Sequence, residues 1–317
     1  MFKKAKKLIE KYDTVIIHRH SNPDGDALGS QIGLREIIRE NYPDKTVYIV
    51  GDATKRYAFM EGWQPDEIAD DTYKNALAIV LDTSAKHLIS DVRYETAAAT
   101  LRFDHHLFVE KICDLEVVDS TFESCCGLLT QFALDCKLKL NVLAAKSLFT
   151  GMVTDSGRFR YDSANSRTFR LAAALTEHDF DPNDVYCELY ADDLQMIQLR
   201  AEYALKIQLA GDGVAYIVTT KEELHRFERE RGADSFGISR GMVGTMSDIR
   251  GVESWVNFTQ TDDCVLCELR SKRHNINPIA VKYGGGGHAK ASGATIADLE
   301  TAMQMVEDMK ALHRGEL

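Results

Sequence analysis

The stretch TVIIHRHSNPDGDALGSQIGL, residues 14–34, predicts a strand, a turn and the start of a helix. Residues 14–18 form a short apolar run rich in β-branched side chains, which is typical of a strand buried on both faces. Pro23 and Gly25 supply a turn, and a helical pattern follows over residues 28–40. This order of elements predicts an α/β unit.

Short apolar runs and helical patterns alternate through the whole first half of the chain. The predicted strands are 14–18, 46–50, 76–81, 100–103 and 115–118, and the predicted helices are 28–40, 126–134, 142–153 and 167–178. This alternation predicts an α/β fold with an open, mainly parallel sheet and helices on both of its faces. In such sheets, sites form just beyond the carboxyl ends of the strands.

The pattern changes near Gly211-Asp212-Gly213, which interrupts a helical segment predicted for residues 194–210. Later strands at 215–218, 254–260 and 265–270, with helices at 222–229 and 299–312, predict a smaller α+β domain. A chain of 317 residues is long enough for two cores. We therefore expect a first domain at 1–190, a helical linker at 191–213 and a second domain at 214–317.

Composition narrows the classes of partner. With 49 acidic and 38 basic residues the net charge is -11, which repels a phosphate backbone and argues against a broad duplex-binding surface. The apolar runs are far shorter than the ~20 residues that cross a bilayer, and the basic residues 1–11 precede no apolar run of an export signal. Seven scattered cysteines are typical of a reducing compartment. We expect a cytoplasmic protein without membrane or duplex partners.

The loop after the first strand carries His20, Asp24 and Asp26, which can present three nitrogen and oxygen ligands from one tight turn. An alternative interpretation is an Asx-type turn in which Asp26 is the N-cap of the next helix. His18 is a competing ligand, because it lies two residues before His20 on the same face of an extended segment. We prefer His20, which the loop brings closer to the two carboxylates.

Further ionisable residues follow other predicted elements. Asp82 comes directly after one strand, Asp104-His105-His106 ends another, and Asp155 comes just after a helix. Such groups should gather at one edge of the sheet, where they would repel one another unless cations compensate their charge. Carboxylates and imidazoles without cysteine favour two Mn²⁺-like ions over a structural zinc.

Taken in order, these segments resemble the four motifs of the DHH phosphoesterase family, which is named for its Asp-His-His triplet. The motifs are His20-x-Asn22-Pro23-Asp24-x-Asp26, then Asp82, Asp104-His105-His106 and Asp155. Gly284-Gly285-Gly286-Gly287-His288, preceded by Leu269-Arg270-Ser271, is similar to the DHH-associated substrate domain. The resemblance therefore covers both predicted domains.

The resemblance implies two divalent ions, with Mn²⁺ preferred and Mg²⁺ or Co²⁺ as alternatives. It implies six metal ligands: His20 and Asp24 on one ion, Asp26, His105 and Asp155 on the other, and Asp82 as a bridge. It also implies that His106 faces the substrate phosphate and that Asp104 orients a neighbouring imidazole.

For the second domain the resemblance implies a clamp on the substrate. The candidate substrate-binding residues are Arg270, Ser271, Gly285, Gly286, Gly287 and His288. Glycines let backbone N–H groups approach an anion, and the guanidinium of Arg270 is a planar fork that fits a phosphate. The alternatives are a flexible surface loop for the glycines and a solvated strand end for Arg270.

The activity that the resemblance implies is two-metal hydrolysis of a phosphoester. Two-domain members of this size resemble the nanoRNase and pAp phosphatase group, whose substrates are short single-stranded RNA and small nucleotides such as adenosine 3′,5′-bisphosphate (pAp). A homodimer is compatible with this resemblance. The alternatives are a phosphodiesterase for cyclic di-AMP or pApA and, from another class, a catalytically silent nucleotide-binding regulatory protein.

Overall fold

The structure, a computed structural model, describes residues 1–231 and 235–317. It divides into two units, Met1–Ala191 and Asp192–Leu317. The first unit contains a parallel sheet in the order β2-β1-β3-β4-β5. Its strands are β1 (Thr14–His18), β2 (Thr46–Ile49), β3 (Leu77–Leu81), β4 (Ala99–Asp104) and β5 (Leu115–Val118). The predicted α/β class with a mainly parallel sheet is confirmed.

One face of this sheet packs against the α-helices of the unit. These are α1 (Phe2–Lys11), α2 (Gly25–Asn41), α3 (Cys125–Asp135), α4 (Val142–Asp155), α5 (Ser166–Thr176) and α6 (Pro182–Tyr190). The main core lies between them and side chains such as Val15, Ile79 and Phe103. Smaller clusters on the other face lie under loops and short 3-10 helices, including Asp70–Asn75 and Val92–Thr96. In the described residues the α-helices thus cover one face of the sheet, and not both faces as the sequence predicts.

Helices α2 and α4 pack closely because glycines line their contact. A Cβ atom added at Gly29 would lie 2.5 Å from the carbonyl oxygen of Ser147, and one added at Gly33 would lie 2.6 Å from the Cγ of Leu148. These distances leave no room for a methyl group. The close approach brings the start of α2 next to the end of α4, where Asp26 and Asp155 lie.

The second unit contains a mixed sheet in the order β10-β11-β9-β8-β7-β6. Its strands are β6 (Gln208–Gly211), β7 (Val214–Thr219), β8 (Ser254–Gln260), β9 (Val265–Ser271), β10 (Gly286–His288) and β11 (Ala291–Ile296). The helices are α7 (Leu194–Leu205), α8 (Lys221–Arg231), α9 (Ser235–Met242), α10 (Asn277–Lys282) and α11 (Leu299–Arg314). Separate apolar cores lie on its two faces.

The helical segment predicted for residues 194–210 is wrong at its end. Helix α7 ends at Leu205, and β6 begins at Gln208. Asp212 and Gly213 both have positive φ, 49° and 76°, as a two-residue hairpin between β6 and β7 requires. Residues 208–210 have a helical sequence pattern, but pairing with β7 holds them in an extended conformation.

Part of the glycine run forms a regular strand, which neither the clamp nor the flexible-loop interpretation of the sequence predicted. Gly286–His288 forms β10, an edge strand that pairs with β11 in antiparallel orientation. A Cβ atom at Gly285 would lie 2.0 Å from the carbonyl oxygen of Gly293, and one at Gly287 would lie 2.7 Å from that of Ala291. Close approach of β11 is thus one physical reason for these glycines.

Within residues 1–231 and 235–317, the structure contains no helix that is both long and apolar enough to span a bilayer.

We predict that Gly29→Ala destabilises the protein by about 1–3 kcal/mol, because the new methyl group would press on the backbone carbonyl of Ser147. Helix propensity alone would change stability in the opposite direction by about 1 kcal/mol. Gly244→Ala is the matched control, since a Cβ atom there meets nothing within 4 Å. Urea denaturation measures both variants, and a Gly29→Ala protein as stable as the wild type would contradict the packing argument.

Candidate metal centre

Six of the side chains that the sequence singles out meet at the carboxyl edge of the first sheet. We call His20, Asp24, Asp26, Asp82, His105 and Asp155 the acidic cluster. His20 and Asp82 follow the ends of β1 and β3, and His105 follows β4. Asp26 lies in the first turn of α2, and Asp155 is the last residue of α4. Parallel strands that end at one edge explain how residues distant in sequence come together.

Asp82 lies at the centre of the acidic cluster. Its Oδ2 is 3.6 Å from Nε2 of His20, and its Oδ1 is 3.4 Å from Nε2 of His105 and 3.6 Å from Nδ1 of His106. The side chain is only 3% exposed, and among the described residues Oδ1 has no hydrogen-bond partner. A buried oxygen of this kind needs a ligand, because an unpaired polar atom is costly.

The backbone at Asp82 contributes to this placement. Its φ is 51°, in the left-handed region that few residues other than glycine enter. The amide of Asp82 still donates to the carbonyl oxygen of Phe103 at 3.0 Å, which fixes the turn to β4. Backbone strain of this kind concentrates at functional sites.

A second group of ligand atoms surrounds the Nε2 of His105, which lies 3.8 Å from Oδ2 of Asp26 and 3.5 Å from Oδ2 of Asp155. The carboxylate of Asp26 is buried and accepts hydrogen bonds from the amides of Cys125 and Cys126, at 2.7 and 2.9 Å. These amides lie at the start of α3, where backbone donors and the helix dipole favour a negative charge.

The loop after β1 completes the acidic cluster. Nε2 of His20 lies 3.8 Å from Oδ1 of Asp24, and its Nδ1 donates to the carbonyl oxygen of Ser21 at 2.7 Å. The alternative interpretation that made Asp26 the N-cap of the helix is wrong. Asp24 caps α2, because its Oδ1 accepts from the amides of Asp26 and Ala27. Asp24 therefore both caps the helix and lies beside His20.

His18 is absent from the acidic cluster in the described structure. It is buried, with its ring 5.6 Å from that of Tyr73 and 6.1 Å from that of Tyr94, between ring centroids. Burial lowers its pKa to about 4, so the ring is neutral near neutral pH. The structure thus places His20, and not His18, beside the carboxylates of Asp24 and Asp82, and the role of His20 as a metal ligand stays a prediction.

His106 lies beside the acidic cluster and is held by a buried ion pair. Its Nδ1 donates to Oδ1 of Asp104 at 2.7 Å, and Oδ2 of Asp104 contacts the guanidinium of Arg102. Nη1 of Arg102 lies 3.5 Å from Oε1 of Glu116. Arg102 was not predicted from the sequence, where its only signal is a charged residue within a predicted buried strand.

Burial and mutual repulsion raise the pKa values of two carboxylates. Burial, with the charges of Asp82 and Asp155, raises the pKa of Asp26 well above its usual range. Burial, with the charge of Asp82, also raises the pKa of Asp155, to about 7. The acidic cluster therefore holds more negative charge than its own imidazoles compensate.

The imidazoles show the opposite electrostatic effect. Burial alone would lower the pKa of His20 and His105, but the neighbouring carboxylates outweigh it and raise both values to about 10. For His106 the hydrogen bond to Asp104 raises the pKa. Burial acts to raise the pKa of Asp104, but its contacts with His106 and Arg102 outweigh this effect and lower it.

The donor atoms fit divalent ions that prefer oxygen and nitrogen. Three sets of ligand atoms have members within 4.8 Å of one another: His20-Asp24-Asp82, Asp26-His105-Asp155 and Asp82-His105-His106. Cys125 and Cys126 lie nearby, but burial raises the pKa of both thiols well above their usual range. The side chains present therefore suit Mn²⁺, Mg²⁺ or Co²⁺ better than a thiolate-bound structural zinc.

The second unit has a cleft of about 380 Å³. It is lined by Arg240, Glu268, Arg270, Gly286, Gly287, Ala291, Ser292 and Gly293. Three of the six predicted substrate-binding residues are therefore in this lining. Arg240 and Glu268 were not predicted, because a single charged residue on a helix or strand carries no specific signal.

Gly285, Ser271 and His288 are not among the residues that line this cleft. The hydroxyl of Ser271 lies 3.0 Å from that of Ser254 and also contacts the carbonyl oxygen of Glu253. Side chains alternate along a strand, so Arg270 and Ser271 point to opposite faces of the sheet. Ser271 therefore packs within the fold, in contrast to its predicted place in the clamp.

Two family models match the chain. The model for the N-terminal domain of the DHH family matches residues 14–152, and the DHHA1 domain model matches residues 230–314. The chain is 36% identical over 307 residues to a protein of Bacillus subtilis (strain 168) named bifunctional oligoribonuclease and PAP phosphatase NrnA, with 96% of each chain covered. It is 35% identical to a protein of Streptococcus mutans named probable bifunctional oligoribonuclease and PAP phosphatase NrnA, with 98% of each chain covered.

The chain is also similar to a more distant relative with a different named activity and to a protein of known structure. A cyclic-di-AMP phosphodiesterase, GdpP of Geobacillus thermodenitrificans, is 26% identical, and the match covers 97% of this chain but 48% of that protein. The crystal structure of an exopolyphosphatase-related protein from Bacteroides fragilis matches with a TM-score of 0.83 and 25% identity. That match covers 99% of this chain and 97% of the other.

The raised pKa values predict that Mn²⁺ binding releases protons. With no ion bound, His20 and His105 keep their protons until the pH approaches about 10, whereas an imidazole binds a metal only in its neutral form. Mn²⁺ competes with these protons, so raising the pH from 6 to 8 should strengthen binding by about tenfold per unit for each proton displaced. Calorimetry in buffers of different ionisation enthalpy measures the released protons.

The variant His105→Gln should release fewer protons, while His87→Gln, at an exposed position outside the acidic cluster, should behave as the wild type. Mn²⁺ affinity that does not change between pH 6 and pH 8 would contradict this prediction.

Proposed function

This chain belongs to the DHH family and is a phosphoesterase, and we propose that it hydrolyses short oligoribonucleotides to mononucleotides and removes the 3′-phosphate of pAp. Its relatives from Bacillus subtilis and Streptococcus mutans, whose names include both activities, support both substrates. The observation that carries the proposal is the position of Asp82, whose carboxylate lies 3.4–3.6 Å from three imidazoles at the edge of the sheet.

We propose that the acidic cluster holds two divalent ions, preferably Mn²⁺. His20 and Asp24 would hold one ion, Asp26, His105 and Asp155 the other, and Asp82 both. When bound, such ions polarise the phosphoryl oxygens and lower the pKa of a water molecule. The orphaned Oδ1 of Asp82 and the raised pKa of Asp26 both support this assignment.

His106 is proposed to face the substrate phosphate. Its Nδ1 is held by Asp104, so Nε2 is the ring atom that remains for the substrate. The side chain is 45% exposed, in contrast to the buried Asp104. The hydrogen bond to Asp104 raises the pKa of His106 and so favours its protonated form, which can donate a hydrogen bond to a phosphoryl oxygen or protonate the leaving oxygen.

Arg102 and Asp104 are proposed to fix the position of the His106 ring, and thereby the direction in which it presents its proton. Asp104 stays ionised because its contacts with His106 and Arg102 lower its pKa, and its carboxylate fixes the plane of the imidazole. Both residues are buried, so the pair is shielded from competing water. His106 is therefore preorganised toward one direction before substrate arrives.

The cleft of the second unit is proposed to bind the part of the nucleotide that is not hydrolysed. Arg270 supplies a guanidinium, and Gly286 and Gly287 supply a surface without side chains. Short substrates suit such a cleft, because it falls at the small end of ligand pockets, which span about 300–1,000 Å³. The net charge of -11 supports exclusion of duplex nucleic acid, and the free thiols support a cytoplasmic location.

Cyclic di-AMP or pApA is the second candidate substrate, favoured by the similarity to a cyclic-di-AMP phosphodiesterase. Incubation with Mn²⁺ and, in parallel, pAp, pApA, cyclic di-AMP and RNA of two to five nucleotides distinguishes these substrates. Turnover of cyclic di-AMP with no turnover of pAp or short RNA would replace our proposal with this candidate.

Asp82→Ala should reduce hydrolysis of pAp by about a thousandfold or more, because it removes the carboxylate that contacts three imidazoles. EDTA should abolish wild-type turnover, because it removes the divalent ions that the acidic cluster is proposed to hold. Asp71→Ala is the control, since Asp71 is a surface residue paired with Lys74, and its rate should stay within about twofold. Circular dichroism checks that each variant is folded.

Full turnover by Asp82→Ala, or by the wild type in excess EDTA, would contradict the two-metal proposal. A wild type that binds nucleotides without hydrolysing any of them would instead identify a regulatory protein.

Arg270→Ala should raise KM for pAp by about tenfold while leaving KM for a minimal aryl phosphate ester unchanged, because only the nucleotide carries the part that the cleft is proposed to bind. Arg273→Ala is the matched control: its side chain is 81% exposed and faces Glu253 outside the cleft lining. Equal changes in KM for both substrates would exclude the clamp role of Arg270.

A further inference from the structure

Two arginines converge on one carboxylate in the cleft of the second unit. Nε of Arg240 lies 3.2 Å from Oε1 of Glu268, and Nη1 of Arg270 lies 3.2 Å from its Oε2. Arg240 belongs to α9, whereas Glu268 and Arg270 belong to β9. Glu268 thus holds guanidiniums from two separate elements at the wall of the same cleft.

The charges in this group do not cancel. Two guanidiniums and one carboxylate leave a net charge of about +1 in a chain whose overall charge is -11. No other charged side chain lines the cleft among the residues that the structure describes. The cleft is therefore locally positive and favours an anion.

The two arginines differ in the donors that they retain. Nη1 of Arg270 also donates to the carbonyl oxygen of Leu269 at 2.8 Å. In the described part of the chain, the contacts of Arg240 involve Nε alone, and its side chain is 73% exposed. The two terminal nitrogens of Arg240 are thus available as a fork, the geometry that binds phosphate oxygens in pairs.

The opposite side of the cleft leaves room for such a group. It is formed by glycines and small residues of β10 and β11, namely Gly286, Gly287, Ala291, Ser292 and Gly293. The cleft volume of about 380 Å³ is within the range that holds a small organic ligand.

We propose that Arg240 is a specificity-determining residue that binds a second, non-scissile phosphate group of the nucleotide substrate. This inference rests on the proposed function, because it assigns a substrate class to the same enzyme. Arg270 then contacts nucleotides in general, and Arg240 distinguishes those with an additional phosphate, such as the 5′-phosphate of pAp.

A pair of substrates that differ only in this phosphate tests the proposal. Both pAp and adenosine 3′-phosphate carry the same 3′-phosphate ester, but only pAp has a 5′-phosphate. Arg240→Ala should raise KM for pAp by about tenfold, while KM for adenosine 3′-phosphate and both kcat values change by less than about twofold. Arg240→Lys should recover part of the loss, since it restores the charge without the fork.

Arg273→Ala serves as the control and should change neither KM, because this exposed residue lies outside the cleft lining. Equal changes for both substrates in Arg240→Ala, or no change for either, would overturn the assignment.

A binding measurement separates this proposal from the proposed function. Calorimetry of the full chain with AMP and with adenosine needs no turnover, and Arg240→Ala should weaken AMP binding alone. If the wild type hydrolyses neither substrate, the proposed function fails, while the AMP result still decides the role of Arg240. Unchanged AMP binding in Arg240→Ala would overturn it.

Discussion

Repulsion among buried carboxylates is the constraint on which the first unit depends. Asp26, Asp82 and Asp155 converge around His105, and burial raises the pKa of Asp26 and Asp155 because charge is costly there. A fold gains nothing in stability from such an arrangement. Bound cations would explain its presence, because they compensate the negative charge of the carboxylates that coordinate them. The catalytic proposal follows from this requirement for cations.

The scaffold holds these carboxylates by fixing their backbone. The amides at the start of α3 hold Asp26, and the glycine-lined contact between α2 and α4 brings it within reach of Asp155. A Cβ atom at Gly151 would lie 3.0 Å from Oδ1 of Asp26 itself. The close packing of α2 against α4 therefore also positions the candidate ligands, because a wider separation of these helices would move Asp26 away from Asp155.

Sequence alone predicted the parallel sheet and the meeting of the acidic cluster, since polar residues directly after buried strands share an edge. Its alternative of Asp26 as the helix cap was wrong, because the amides of α3, about a hundred residues away, hold the carboxylate of Asp26. It missed Arg102, whose buried charge is compensated only by tertiary partners. The strand at β10 was also missed, because pairing with β11 overrides the flexibility of glycine.

The left-handed backbone at Asp82 also limits how the enzyme can change over evolutionary time. Besides glycine, asparagine and aspartate enter this region most readily. Asparagine keeps the shape of the side chain and removes its charge, and one base change in the codon converts aspartate to asparagine. A duplicated copy of the gene therefore has a short mutational route to a folded protein whose acidic cluster has lost its central negative charge while the cleft of the second unit is unchanged.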